Sequence, residues 1–235
     1  FSSLIYSPID LITIQQQIGQ LIIAGFRGKT VEPGSDIERY IKDYNIGGVI
    51  LYDEDLAIGG SGTRNIESPS QVKNLTKQLQ SLGNNNLFIS IDQEGGDVHR
   101  LRTVYGFEET PSWNHIGLLK NELMTEEFSR SMATTLSGLG INLNFAPVLD
   151  LDHGAGKVIS DSKRAFSSDP KIVKKNSKIF VHQHRLLGVL TCGKHFPGLG
   201  SASGDTHEGF TDISDTWTVK DLLPFDEMIK DEDLD

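Results

Sequence analysis

An α/β fold built on a parallel sheet is what this sequence predicts, and three observations carry it. Apolar, β-rich runs alternate with segments of helical spacing, the pattern of consecutive βαβ units. Charged residues gather immediately after those runs, where parallel sheets build their sites. The length, 235 residues, allows one sizeable core or at most two small ones.

Five strands are expected: Leu21 to Gly25, Gly48 to Tyr52, Leu87 to Ile91, Asn142 to Val148 and Val189 to Gly193. Between the second and third, Val72, Leu75, Leu79 and Leu82 recur every three or four residues and mark a helix over 70–82. Ser68 caps it, and Pro69 occupies the first turn, where a missing N–H costs nothing. A second helix runs from about Thr125 to Leu139, with Phe128, Met132, Leu136 and Leu139 as its inward stripe. A third starts at Asp169 and Pro170 and turns Val173, Phe180 and Leu187 inward. A fourth starts near Thr218 and holds Leu222, Leu223 and Phe225, with Pro224 in its first two turns or bending it.

Composition excludes several functions. A formal net charge of −10 disfavours phosphate-backbone binding, so no nucleic-acid partner is expected. No apolar run approaches the roughly 18 to 20 residues that span a bilayer. Cys192 is the single cysteine, which rules out an internal disulfide or a cysteine metal site. The glycines at 59, 60 and 62 make a loop without the Gly-Lys-Ser/Thr ending of a phosphate cradle. His182 and His184 stand two apart on a predicted helix and face different ways, while His99, His115 and His153 lack neighbours at metal spacing. No metal and no cofactor are expected. Asn74, Leu75 and Thr76 spell a glycosylation sequon, but inside a predicted helix. A chain beginning at Phe1 rather than Met leans toward a processed, periplasmic or secreted protein and leaves the cytoplasm open.

Three strand ends carry charge. Asp92, Gln93 and Glu94 follow the third strand, Asp150 and Asp152 the fourth, and Lys194 and His195 the fifth. The densest constellation runs from Lys194 to His207. Lysine at a strand end donates to sugar hydroxyls, and the small residues that follow make a loop able to move. On that loop Asp205 stands two residues from His207, close enough for the carboxylate to orient the imidazole as an acid/base unit.

These residues resemble the bacterial β-N-acetylhexosaminidases of glycoside hydrolase family 3. Four segments match in order: Gln17 to Leu21; Ile91, Asp92, Gln93, Glu94, Gly95, Gly96; Asn142 to Asp150; and Lys194 to His207. The resemblance spans residues 1–235 and implies a (β/α)₈ barrel of which about the first five units are present. It assigns Asp92 to the sugar hydroxyls, with Arg100 as its positive neighbour. It places Arg164, Lys194 and His195 in substrate binding, and Asp205 and His207 in the acid/base dyad. The implied activity is removal of terminal β-linked N-acetylglucosamine from peptidoglycan-derived sugars by a retaining route.

The departures are Asp97 for a usual arginine, Leu199 for a usual histidine and Ala165 for a usual serine. The family's nucleophile is an aspartate on a later strand, beyond Asp235. Alternatives therefore stay open: a sugar-binding relative without chemistry, or a phosphorylase. Five strands cannot close an eight-stranded barrel, so self-association or a further segment is expected.

Overall fold

The computed structural model describes residues 13–83, 87–154 and 156–235; Phe1 lies outside them. Among the described residues the strands are β1 (Ile23–Gly25), β2 (Gly48–Leu51), β3 (Phe88–Ile91), β4 (Leu143–Asn144) and β5 (Leu190–Thr191). They form one sheet in the order β1-β2-β3-β4-β5, with every pair parallel. Sequential order with helical crossovers is the arrangement of consecutive units in a β/α barrel, as expected. Register is exact across the middle: Val49 faces Ile89 and Leu51 faces Ile91.

The helices are α1 (Ile14–Gly19), α2 (Asp36–Lys42), α3 (Pro69–Leu82), α4 (Trp113–Leu119), α5 (Glu122–Leu139), α6 (Pro170–Leu186) and α7 (Val219–Lys230). Ser68 caps α3 by accepting from the Gln71 N–H at 3.2 Å. Asp169 caps α6 through the Lys171 N–H at 2.9 Å, with Pro170 at the first position. Thr218 and Asp221 form a reciprocal capping box on α7, whose second turn contains the buried Pro224. That proline interrupts only local backbone bonding and its ring is used in the core.

Differences from the sequence expectation have local causes. The fourth strand stops at Asn144, where the Ala146 N–H turns back to Asn144 O at 2.8 Å and leaves the ladder, although Val148 rejoins Lys194 in a parallel bridge. α5 begins three residues early, at Glu122, because Asn121 accepts from the Leu123 N–H at 3.1 Å. Its buried face is Thr125, Ser129, Met132, Ala133, Leu136 and Leu139, so Phe128 lies at the margin, as does Leu187 beyond α6. The first strand starts at Ile23, and Leu21 is exposed.

Before β1, α1 closes the amino end of the sheet. Gly19 lies so close to Tyr44 that a Cβ would stand 1.8 Å from its carbonyl oxygen, and Gln20 donates to Asn45 O at 2.8 Å. The other end of the sheet is therefore the open one. On the outside, Trp113 of α4 packs on Phe166 and edge-on to Phe180, with ring centroids 5.0 and 5.2 Å apart.

His184 continues this stack, 3.9 Å from the Phe180 ring. Its Nδ1 pairs with Phe180 O at 2.9 Å and its Nε2 with the Asn144 amide at 3.4 Å. Asn144 in turn brackets Gln93, accepting from its N–H and donating to its carbonyl. Burial pushes the His184 pKa down to about 4 from 6.5. A depressed histidine pKa means that the unfolded chain takes up the proton first. Stability is complete above pH 6.5 and falls as pH drops toward 4, by about 3 kcal/mol. Urea denaturation between pH 7 and 4.5 should show this slope, and His184→Leu should lack that part of it. An unchanged slope in the variant would refute the assignment.

Candidate active site

The charged strand ends converge at the carboxyl end of the sheet, around Arg164. This side chain is brought there by a five-residue π-helical turn, Lys157–Asp161, after β4. Asp152 fastens the same segment, accepting from Asn114 Nδ2 at 3.1 Å and donating its N–H to Ser167 O at 3.0 Å. Arg164 is buried and meets Glu94 in a bidentate pair, Nε and Nη2 each 2.7 Å from a carboxylate oxygen. Its Nη1 donates to Val158 O at 3.1 Å. Two parallel bonds in a fixed plane make this the strongest kind of side-chain ion pair. Burial alone would raise the Glu94 pKa, but Arg164 and Lys194 more than reverse that and hold it below the ordinary carboxylate value.

Lys194 lies between two carboxylates, with Nζ 2.6 Å from Glu94 Oε1 and 2.7 Å from Asp92 Oδ1. Asp92 Oδ2 makes no hydrogen bond among the described residues, and the side chain is 18% exposed, so it presents an acceptor to the open end. His195 completes the chain of contacts. Arg164 can only donate, so its Nη2, 3.1 Å from His195 Nε2, fixes that nitrogen as the acceptor and puts the ring proton on Nδ1. Nδ1 then donates to Asp150 Oδ2 at 2.6 Å, and Asp150, fully buried, also takes the N–H groups of His195 and Leu199. Asp92, Arg164, Lys194 and His195 thus form one contiguous array. Glu94 and Asp150, flagged only as charged strand ends, are the carboxylates that hold it.

Arg100 is placed differently from the expectation. The cation paired with Asp92 is Lys194, whereas Arg100 has its nearest carboxylate in Asp53, 4.0 Å away, and lies by the Tyr52 ring. Tyr52, at the end of β2, was not among the sequence candidates. Burial raises its phenol pKa, and the charge of Asp92 adds to that against Arg100, Arg64 and Lys194. A lone tyrosine closing an apolar run carries no sequence signal beyond strand propensity.

Asp205 and His207 do pair, Nδ1 to Oδ1 at 2.7 Å, with the His207 N–H on the same oxygen at 2.8 Å. They sit on a loop whose imidazole is 81% exposed. The loop's ends are tied: Thr216 Oγ1 meets Ser201 Oγ at 3.2 Å, and Trp217 Nε1 donates to Pro197 O at 3.0 Å. A second His/Asp pair was not foreseen. His153 Nε2 stands 2.5 Å from Asp221 Oδ1, joining the loop after β4 to the start of α7. Those residues are 68 apart, beyond the reach of local spacing.

Two departures from the resemblance fall in one place. Ala165 belongs to a small buried cluster with Val148, Val158 and Ile159, and Leu199 packs against it. Alanine and leucine at these two positions make this part of the structure, next to Arg164 in sequence, apolar. Asp97 is exposed and makes no ion pair among the described residues.

A sequential parallel β/α sheet with a charged, hydrogen-bonding array at its carboxyl end is the class defined by fold and site. Residues 13–235 match the glycosyl hydrolase family 3 N terminal domain, and the chain belongs to that family. It is 36% identical over 218 residues to a β-hexosaminidase of Hydrogenovibrio crunogenus, covering 89% of this chain and 57% of that protein. It is 31% identical to β-hexosaminidase A of Pseudoalteromonas piscicida, covering 93% and 39%. Among solved structures, a family 3 β-N-acetylglucosaminidase from Paenibacillus sp. FPU-7 superposes with TM-score 0.79 at 30% identity, over 93% of this chain and 40% of that one. Native NagZ from Neisseria gonorrhoeae gives 0.76 at 31%, over 89% and 59%. The chain spans between 39% and 57% of the length of these two curated relatives.

Arg164→Met would strand Glu94 in the interior and should cost about 3 to 5 kcal/mol by urea denaturation. Glu94→Met combined with Arg164→Met should recover most of it, since removing both charges removes the unpaired one. A double variant as unstable as the single one would show that the pair is not what the fold depends on here.

Proposed function

We propose that this chain forms the amino-terminal part of the catalytic domain of a glycosidase that releases terminal β-linked N-acetylglucosamine from peptidoglycan-derived sugars. The observation that carries the reading is the array Asp92, Lys194, Glu94, Arg164 and His195, which presents a carboxylate acceptor and cationic donors at the open end of the sheet. Sugar hydroxyls need both kinds of partner. The names of the relatives, β-hexosaminidase and β-N-acetylglucosaminidase, support the choice of sugar.

In this proposal, His207 is the acid/base, oriented by Asp205. The route is a double displacement. A carboxylate attacks the anomeric carbon while His207 gives its proton to the departing glycosidic oxygen; water then attacks the glycosyl-enzyme, His207 takes the water's proton and the carboxylate leaves. We assign the attacking carboxylate to none of the described residues. With its imidazole exposed, His207 acts after the loop between Ser201 and Thr216 moves over the sugar, a motion for which the tied ends provide a base.

The same exposure favours a second reading, a sugar-binding relative without turnover. Release of 4-nitrophenol from its N-acetyl-β-D-glucosaminide by the natural full-length protein separates the two. Activity should be present and should fall about 10²- to 10⁴-fold in kcat in His207→Ala. A folded protein that binds N-acetylglucosamine and releases nothing would leave the binding reading standing and end the catalytic one.

A further inference from the structure

The carboxylate of Asp221 is fully buried and carries more than a helix start requires. Its Oδ2 accepts from the Thr218 N–H at 2.9 Å and from Thr218 Oγ1 at 3.0 Å, which completes the cap of α7. Oδ1 is engaged elsewhere, by His153 Nε2 at 2.5 Å, and His153 belongs to the loop after β4. Burial alone would raise the Asp221 pKa, but His153 and Thr218 more than reverse that and hold it below the ordinary carboxylate value. An ionised carboxylate in the interior needs donors on both oxygens, and His153 supplies the one that the cap does not.

This pair stands at the root of the loop that carries Asp205 and His207. On the outgoing side, Thr218 follows directly on Trp217, whose Nε1 holds Pro197 O. On the incoming side, Gly198 lies so close that a Cβ there would stand 2.8 Å from Asp221 Cβ. The loop after β4 presses on the incoming side as well, since a Cβ on Gly156 would run into Ala202 O and one on Gly200 into Leu151 O. That loop therefore meets one root through backbone packing and the other through the bond from His153 to Asp221. Packing fixes a distance, whereas a hydrogen bond to a buried anion also fixes a direction. We propose that His153, acting through Asp221, is a positioning residue for His207: it fixes the outgoing root from which the loop closes, so that the imidazole proton meets the departing glycosidic oxygen. The inference rests on the proposed function. Proton transfer is sensitive to such placement, and a displacement of about 1 Å can cost about 10²-fold.

The test uses the natural full-length protein and two substrates, the phenyl and the 2,4-dinitrophenyl N-acetyl-β-D-glucosaminides. Phenolate is a poor leaving group that needs the proton of His207, dinitrophenolate departs without it, and kcat/KM covers only the steps up to that departure. A loss of folded enzyme lowers both values equally, so the ratio of dinitrophenyl to phenyl kcat/KM reports proton transfer. In His153→Leu this ratio should rise about tenfold to a hundredfold. His153→Gln, whose amide keeps a donor near the place of Nε2, should bring it back toward that of the natural protein. Should His153→Leu not fold, Thr218→Val, which weakens the same link from the other side, decides by the same ratio. A ratio that these variants leave unchanged while His207→Ala raises it overturns the inference and leaves the proposed function standing, and a His153→Gln ratio as disturbed as that of His153→Leu overturns it too. A ratio that His207→Ala also leaves unchanged, or no release from either substrate by the natural protein, ends the acid role of His207 and the positioning with it.

Discussion

The bidentate pair between Arg164 and Glu94 is the contact on which the carboxyl end of the sheet depends. It joins the residue three places beyond β3 to a segment delivered by the π-helical turn after β4, and through Lys194 and His195 it extends to the end of β5. Neither charge is tolerable alone in the interior. Together they form a rigid plane whose remaining valences are taken by Val158 O, Lys194 and His195. Three strand ends are thereby held in fixed relation. Asp150 does the same on the far side of His195, using backbone N–H groups as well as the ring.

Behind this plane the support is partly polar and partly apolar, and the two parts are separated. Asn144 carries the polar part, linking the backbone after β3 to His184 on α6. The cluster of Val148, Val158, Ile159 and Ala165 with Leu199 carries the apolar part. Leu199 has a double role: its side chain packs there, while its N–H serves Asp150.

Much of this was readable from residue order. The five strands, the capped starts of α3 and α6, and the charged strand ends follow from periodicity and capping chemistry, because each is set within a few residues. α2 was not expected, because its seven residues fall below the length at which periodicity stands out. What stayed hidden was long-range pairing. Glu94 with Arg164 are 70 residues apart and His153 with Asp221 are 68 apart; no local spacing encodes such contacts. Tyr52 stayed hidden for a related reason, since its importance lies in the two arginines that fold toward it.

The ties between Ser201 and Thr216, and between Pro197 and Trp217, bring the two ends of the loop together at its root. Gly200 fixes one side of that root so closely that a Cβ would stand 1.9 Å from Leu151 O. Everything between is hung from a closed stem. Beyond the buried Ala202, residues 203–215 hang from that stem on the outside of the core, which makes this segment a cassette: its chemistry can diverge while the scaffold beneath it stays the same.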